Sequence, residues 1–498
     1  MSPLKRRAEL LISGAALGLT FAPFYLWWLA LPLTGVLWML QPRGNSRRQA
    51  CLDGWLVGLG LFGANVNWVW ISIHDFGYAP VWLATLLTAL FAAGLALFTL
   101  GQWWTLHGLA RRNALTPFTF AAVWVIWEWI RSGLLSGFPW LYIGTGWVDS
   151  PFAPAARWVG AYGLSFLIVL AGSYLARAAC QRTWSAARPL LAATACLMVI
   201  SLAGHWLGRT TPAGTMKVAL VQGAISQDIK WQPEYQGQII RTYMDLSAPY
   251  WQAADLVLWP ETALPVFYKA DAGFFRQLDA HARNTDTALG YGVLLPNDDG
   301  SYANGFLWQG KAEGLYRKQK LVPFGEYVPL ESLLRGLIAF FNLPMSDMVP
   351  GAADQPLQSA KGVPVATFIC YEVVYPDFVA ARAREAQLLV TVSNDAWFGL
   401  FAGPAQHMQI ARMRAVEQDK TLLRAANRGH TGIITPDGAV LNPVAPAEPG
   451  VSAGDAELRS GTTLYGRTGS LPLVFLLLMG TLQALRRGSA QSTSSSGQ

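Results

Sequence analysis

The stretch MKVALVQ, residues 216–222, is where the chain changes character. Before it lie long apolar runs. After it, short runs rich in β-branched residues alternate with polar segments of helical period. Residues 216–222 read as a strand, as do 255–259 (DLVLW), 286–295, 303–309, 313–318, 363–370 (VPVATFIC), 387–393 (QLLVTVS), 421–426 and 431–435. Residues 233–252, 271–284, 374–385 and 404–419 read as helices between them. Interleaving of this kind predicts an α/β domain over 216–460.

Toward the N terminus, seven apolar stretches fall near 8–23, 24–41, 51–71, 80–104, 116–131, 160–176 and 189–207, and an eighth lies at 470–485. Each is near the length that crosses hydrocarbon. Composition agrees: of 498 residues 52 % are hydrophobic, 13 % are charged and 22 are Trp. A soluble domain usually carries about 25 % charged residues. These figures exclude a disordered chain, a disulfide scaffold and an ordinary soluble protein of two or three domains. The first run follows Lys5, Arg6 and Arg7 in the manner of a signal peptide, but the spans after it make it a retained anchor. The runs on either side of Pro23 read as two spans, with a re-entrant hairpin as the alternative. The predicted architecture is a polytopic α-helical membrane protein of about eight transmembrane helices carrying one α/β domain. Residues 1–207 form the membrane domain, 470–487 a C-terminal transmembrane helix and 488–498 (GSAQSTSSSGQ) a disordered tail.

Loop charges give the orientation. Lys5, Arg6, Arg7, Arg43, Arg47, Arg48, Arg111, Arg112, Arg177, Arg182, Arg188, Arg486 and Arg487 all fall on one side of the spans. The positive-inside rule puts that side, and both termini, in the cytoplasm, so seven spans deliver 208–469 to the outer face. The same residues account for the net charge of +7: without these thirteen, 24 of the 37 basic residues face 30 acidic ones. A nucleic-acid footprint is thereby excluded. Glu128 and Asp53 are the carboxylates near apolar spans; with Arg131 three residues on, Glu128 reads as half of a structural pair. The Gly- and aromatic-rich loop 132–159 reads either as an interfacial aromatic belt or as the lining of a lipid-accessible mouth.

Four cysteines occur, and Cys370 alone lies in the α/β domain, so no internal disulfide forms there. Clustered thiols and histidines for zinc are missing, and no P-loop or dinucleotide fingerprint is present, so no cofactor is expected. Taken alone, Cys370 is either an inert core residue or a nucleophile. Its place at the end of VPVATFIC, before helix-like sequence, favours the nucleophile, because N–H groups beside such a turn favour a thiolate and an oxyanion. A nucleophile needs a proton acceptor and a charge stabiliser. Glu261, in LVLWPET, and Lys318, in YRKQKLVPFGEYVP, follow predicted strands and are of the right type.

Glu261, Lys318 and Cys370, in this order and in these contexts, resemble the Glu-Lys-Cys triad of the nitrilase, or carbon–nitrogen hydrolase, superfamily. The segments LVLWPET, YRKQKLVPFGEYVP, FICYEVVYPD and VSNDAWFG resemble, more narrowly, the apolipoprotein N-acyltransferases of bacterial inner membranes, and the likeness extends over nearly the whole chain. It implies an α-β-β-α sandwich for the soluble domain and a ping-pong transfer. A phospholipid, typically phosphatidylethanolamine, gives its sn-1 acyl chain to Cys370. The α-amino group of the S-diacylglyceryl cysteine of an apolipoprotein then receives it. Glu261 is implied as base, with Lys318 and the Tyr371 N–H as oxyanion donors and Glu326 and Glu372 as supporting carboxylates. Trp231, Asn394 and Trp397 are candidate substrate contacts. Where the family usually has His two residues after the lysine, this chain has Lys320. The apolar stretch 330–350 reads as a lid that dips Leu337, Ile338, Phe340, Phe341 and Leu343 into the membrane interface, with a buried amphipathic helix as the alternative. The expected partners are the phospholipid, the diacylglyceryl apolipoprotein and the bilayer, and the expected state is a monomer. A membrane-tethered amidase using water as acceptor is the alternative. A transporter with an appended domain finds support only in Glu128 and Asp53.

Overall fold

The structure, a computed structural model, describes residues 2–42, 44, 46–269, 272–327 and 348–495. The proposed lid, with Phe340 and Phe341, lies outside the described residues. The chain divides into two compact units: Met1–His74, Pro80–Gly208 and Thr468–Gln498 form the first, and Asp75–Ala79 with Arg209–Arg467 the second.

The first unit is helical. Among the described residues, five helices are long and apolar enough to cross a membrane, or six if the pair Arg47–Asn65 and Val69–Phe76, bent by 63°, counts as one span. The sequence reading of eight is met only in that coarser form. Its first two spans are the helices Pro3–Ala16 and Ala30–Met39, of 14 and 10 residues, joined through 3-10 turns. At 1.5 Å per residue neither regular helix reaches the roughly 30 Å of hydrocarbon. Pro23, which lacks an N–H, falls between them and interrupts the apolar run. The last helix, Leu471–Ser495, continues into the polar tail that composition alone reads as disordered.

Small residues let these helices touch. A Cβ on Gly14 would lie 2.1 Å from the Val57 carbonyl oxygen, and one on Gly60 would lie 2.1 Å from that of Leu11. The backbones of Pro3–Ala16 and Arg47–Asn65 therefore pack directly. Asp53 is buried and pairs with Arg6 at 2.8 Å, which removes one of the two carboxylates a transporter reading would use. Glu128 accepts from the Trp124 indole and the Ile143 N–H, both at 3.1 Å, and Arg131 donates to the Phe138 carbonyl at 2.9 Å. Both side chains thus hold the loop that follows their helix. Trp140 and Trp147 in that loop are buried within the unit, which does not fit an exposed aromatic belt.

The second unit is built on two sheets, ordered β13-β1-β2-β3-β4-β6 and β12-β11-β10-β9-β8-β7-β5. The strands are β1 Thr211–Gln222, β2 Leu256–Leu258, β3 Ala288–Pro296, β4 Tyr302–Gly310, β5 Ala312–Glu313, β6 Leu315–Arg317, β7 Gln358–Ala360, β8 Val363–Ile369, β9 Leu388–Ser393, β10 Leu422–Ala426, β11 Thr431–Ile434, β12 Val440–Val444 and β13 Gly450–Ser460. Strand periodicity sorts the core into layers. Val218, Leu220, Leu256, Leu258 and Phe306 of one sheet share a cluster with Val365, Ile369, Val390, Val392 and Leu423 of the other. Their neighbours Ala219, Val221, Val257, Trp259 and Tyr291 point the opposite way, onto the helices Gln236–Ser247 and Gly273–Asn284. The helices Pro376–Ala383 and Ala402–Gln418 follow β8 and β9 on the second sheet. Strands β1, β2 and β3 run parallel, as do β8, β9 and β10. Loops after the carboxyl ends of parallel strands are where α/β folds gather their chemistry.

Candidate active site

Glu261 follows β2. The turn that carries it packs on β3: the Trp259 N–H donates to the Gly290 carbonyl at 2.9 Å, and the Gly292 N–H to that of Pro260 at 3.2 Å. Gly292 has no room for a side chain. A Cβ there would sit 2.2 Å from the Thr262 nitrogen and 2.7 Å from the Pro260 oxygen. Gly292→Ala therefore has to move the turn bearing Glu261. The expected result is a displaced Glu261 side chain and a loss of about 100-fold in any reaction that Glu261 serves, since a displacement of about 1 Å at a reacting group costs that much. The accompanying stability loss should be about 1–3 kcal/mol, as for other overpacked sites. The rate of that reaction and thermal unfolding, measured on one preparation, check this, and a rate within twofold of the parent would refute it.

Lys318 follows β6, which pairs antiparallel with β4, and its N–H donates to the Asn304 carbonyl at 2.9 Å. The buried Lys318 Nζ lies 2.7 Å from Glu326 Oε1 and 3.5 Å from Glu261 Oε1. Asn304 Nδ2 donates to the same two carboxylates, at 2.7 Å to Glu261 and 3.3 Å to Glu326. The Asn394 N–H, just past β9, donates to Glu261 Oε2 at 2.8 Å, and the Val322 N–H donates to Glu326 Oε2 at 2.9 Å. Burial opposes the charge on Lys318, but Glu326 and Glu261 outweigh it and hold its pKa well above the usual lysine range. The ammonium is thus fixed between two carboxylates.

Cys370 follows β8 with φ +51°, a backbone conformation unusual for a residue with a Cβ. Sequence reasoning expects a helix to begin near the thiol. Instead, Cys370–Val374 is a short 3-10 turn and the helix starts at Pro376, so the thiol does not sit at the first turn of an α-helix with a macrodipole. Glu372 ties this elbow together. Its Oε2 accepts from the Ile369 N–H at 2.7 Å. Its Oε1 accepts from Gln319 N–H at 2.6 Å, the Tyr316 hydroxyl at 2.9 Å and Lys320 N–H at 3.2 Å. Glu326 and Glu372 are therefore buried organisers rather than surface carboxylates. Burial first, then the Glu261 carboxylate, pushes the Cys370 thiol well above its ordinary pKa, with Lys318 pulling the other way.

The remaining sequence candidates spread around this centre. Asn394 is buried, with its side chain between Gln227 Oε1 at 3.0 Å and Asn427 Nδ2 at 3.1 Å. Trp231 is half-buried against Leu294, Leu321, Met348, Tyr302 and Tyr327. Trp397 stacks edge-on against Phe76, 5.1 Å away in the short segment that belongs to this unit. Tyr371 packs edge-on to Tyr375. Lys320, where the family usually has His, extends over the rings of Tyr375 and Phe378 at 5.7 and 5.9 Å. Only its backbone joins the Glu372 network.

Several polar groups escaped the sequence reading. Asn304 bridges both carboxylates, and Lys230, fully buried, donates to Thr262 Oγ1 at 2.7 Å beside Glu261. Asp395, His407 and Arg424 form a buried cluster behind Cys370. One available signal was a polar residue inside an apolar strand, as in YANGFLW for Asn304 and LLRAA for Arg424.

Comparison with known proteins adds two matches that between them span both units. Residues 13–174 match the apolipoprotein N-acyltransferase N-terminal domain family, and residues 217–463 match the carbon–nitrogen hydrolase family. The chain is 42 % identical to an apolipoprotein N-acyltransferase of Pseudomonas aeruginosa over 91 % of its own length and 90 % of that protein. It is 41 % identical to one of Azotobacter vinelandii over 96 % of its length and 94 % of that protein. Among solved structures, the Caenorhabditis elegans NitFhit protein aligns at 19 % identity, over 53 % of this chain and 65 % of that one, with a TM-score of 0.39.

Proposed function

The chain belongs to the apolipoprotein N-acyltransferase family and is an acyltransferase, and from that premise we propose how its residues carry the transfer and between which partners. The acyl donor is a phospholipid, with phosphatidylethanolamine as the expected headgroup. The acceptor is the α-amino group of the S-diacylglyceryl cysteine that begins an apolipoprotein. The product is an N-acylated, triacylated lipoprotein.

Glu261, Lys318 and Cys370 act as the triad. The Glu261 carboxylate takes the thiol proton as Sγ attacks the sn-1 ester carbonyl. The oxyanion that forms is met by the Lys318 ammonium and the Tyr371 N–H. Collapse expels the lysophospholipid alkoxide, which leaves with the proton held by Glu261, and a Cys370 thioester remains. In the second half, Glu261 deprotonates the incoming ammonium. The amine attacks the thioester and the same donors hold the second oxyanion; collapse gives the proton on Glu261 to the departing thiolate, and the second proton shed by the nitrogen passes to the freed Glu261 carboxylate and out to water, leaving the thiol and an amide. The observation that carries this reading is that one buried carboxylate, Glu261, both contacts Lys318 and acts electrostatically on the Cys370 thiol.

Placement follows from the substrates. Burying one methylene is worth about 0.8 kcal/mol, so a long acyl chain is not lifted into water and the site works at the bilayer. The loop charges support both termini in the cytoplasm, hence an even number of crossings, and a catalytic unit on the periplasmic side of a bacterial inner membrane. The test is an assay of the full chain with labelled phosphatidylethanolamine and a diacylated lipopeptide. The expected product is acyl amide on the lipopeptide, formed through an acyl-enzyme on Cys370. Release of the label solely as free fatty acid would overturn this reading in favour of a membrane-tethered hydrolase.

A further inference from the structure

Behind the Cys370 elbow lies a set of buried polar groups that no step above employs. Asp395 opens the turn after β9, His407 lies on the helix Ala402–Gln418, and Arg424 belongs to β10; all three are buried. Arg424 Nη2 donates to Asp395 Oδ2 at 2.6 Å and lies 3.1 Å from His407 Nδ1. His407 Nδ1 is 3.0 Å from Asp395 Oδ1, which also meets the Ser393 hydroxyl. The other ring nitrogen, Nε2, lies 3.1 Å from the carbonyl oxygen of Cys370.

That last contact fixes the tautomer. A carbonyl oxygen only accepts, so Nε2 carries a proton in either charge state; a neutral ring offers its Nδ1 lone pair to Arg424, and a charged one donates from Nδ1 to Asp395. Burial, followed by the Arg424 charge, lowers the His407 pKa, in keeping with a neutral ring. Three elements thus converge on one backbone oxygen. It belongs to the residue with φ +51°, a left-handed conformation that residues with a Cβ seldom adopt.

Planarity links this oxygen to the chemistry. The carbonyl of Cys370 and the N–H of Tyr371 belong to one peptide unit and, in the trans form, point in opposite directions. Whatever holds the carbonyl therefore also aims the N–H. We propose that His407 is a positioning residue: by donating from Nε2 to the Cys370 carbonyl, it points the Tyr371 N–H at the oxyanion formed during acyl transfer. This rests on the reading of Cys370 as nucleophile. Asp395 and Arg424 orient the imidazole. Asp395 is itself held ionised: burial works against its charge, but the Arg424 guanidinium more than offsets that and holds its pKa well below the usual range.

The test compares His407→Gln with His407→Asn in the full chain. The amide nitrogen of Gln reaches about as far as Nε2, whereas that of Asn reaches only as far as Nδ1. Two reactions of Cys370 are followed without acceptor: thioester formation from labelled phospholipid, which passes through an oxyanion, and alkylation by iodoacetamide, which does not. For His407→Asn, thioester formation should fall about 30- to 100-fold, the scale of a misaimed reacting group, through kcat rather than KM. Alkylation should stay within about threefold for the same variant, because its displacement step needs no oxyanion donor. His407→Gln should keep both reactions near the parent. Equal loss of both reactions, or loss of neither, would overturn the proposal. Should His407→Asn fail to fold, His407→Ala with added imidazole gives the same contrast, and no recovery of thioester formation would count against it. If the parent itself carries no acyl group on Cys370, the nucleophile assignment falls first and this inference falls with it.

Discussion

Cys370→Ser is expected to yield a folded, membrane-inserted protein that retains no thioester-linked acyl group and transfers acyl chains at least about 10⁴-fold more slowly, the scale seen when an enzyme loses its nucleophile. The reasoning starts from the resting thiol. Burial and Glu261 keep it protonated, so reaction requires the proton to leave as the carbonyl is attacked. A hydroxyl is a weaker acid than a thiol, and the same carboxylate moves its proton less readily. Serine also keeps the size and the β-carbon of cysteine, so the elbow at φ +51° is no more strained than before. Unfolding temperature should therefore change by only a few degrees. Mass spectrometry of the intact protein after exposure to phospholipid separates the cases: added acyl mass on the parent and none on the variant. Full acyl transfer by Cys370→Ser would remove Cys370 from the mechanism.

How much of this site was readable beforehand depends on the range over which each signal acts. Period-2 apolar runs marked β2, β3, β8 and β9 within a few residues, because each buries alternate side chains between two sheets. Strand β13, GVSAGDAELRS, went unread. Its glycines and charges break the alternation, and it is held by eleven residues of pairing with β1, more than two hundred positions away. The same division applies at the centre. Glu261, Lys318 and Cys370 are strand-end residues whose neighbours announce a turn. Asn304 announces itself only as a polar residue in an apolar strand, and His407 carries no local signal of its own. One acts by bridging two carboxylates, the other by touching a backbone oxygen 37 positions away. Segment length misled in the membrane unit, where apolar runs long enough to span fold as helices of 14 and 10 residues interrupted by turns.

Lys318→Met should damage both catalysis and folding, and the two effects can be pulled apart. In catalysis it removes one of the two oxyanion donors proposed above, for an expected loss of roughly 2.7–4 kcal/mol of barrier stabilisation, or about 10²–10³ in rate. In folding it leaves Glu261 and Glu326 sharing Asn304 with no cation between them. Removing one member of a buried ionic group typically costs about 3–5 kcal/mol, because the charge left behind stays desolvated and unpaired. The repulsion then falls on the carboxylates, one of which is driven to take up a proton. Stability lost at neutral pH should partly return as the pH is lowered, since protonating either carboxylate removes the repulsion. Glu326→Gln in the Lys318→Met background removes one of the two negative charges and should restore much of the unfolding temperature. It supplies no ammonium to the oxyanion, so acyl transfer should remain at least about 10²-fold below the parent. Thermal unfolding and single-turnover thioester formation, run on the single and double variants, read the two effects separately. Recovery of activity together with stability in the double variant would mean that Lys318 matters only as a counter-ion and plays no part in holding the oxyanion.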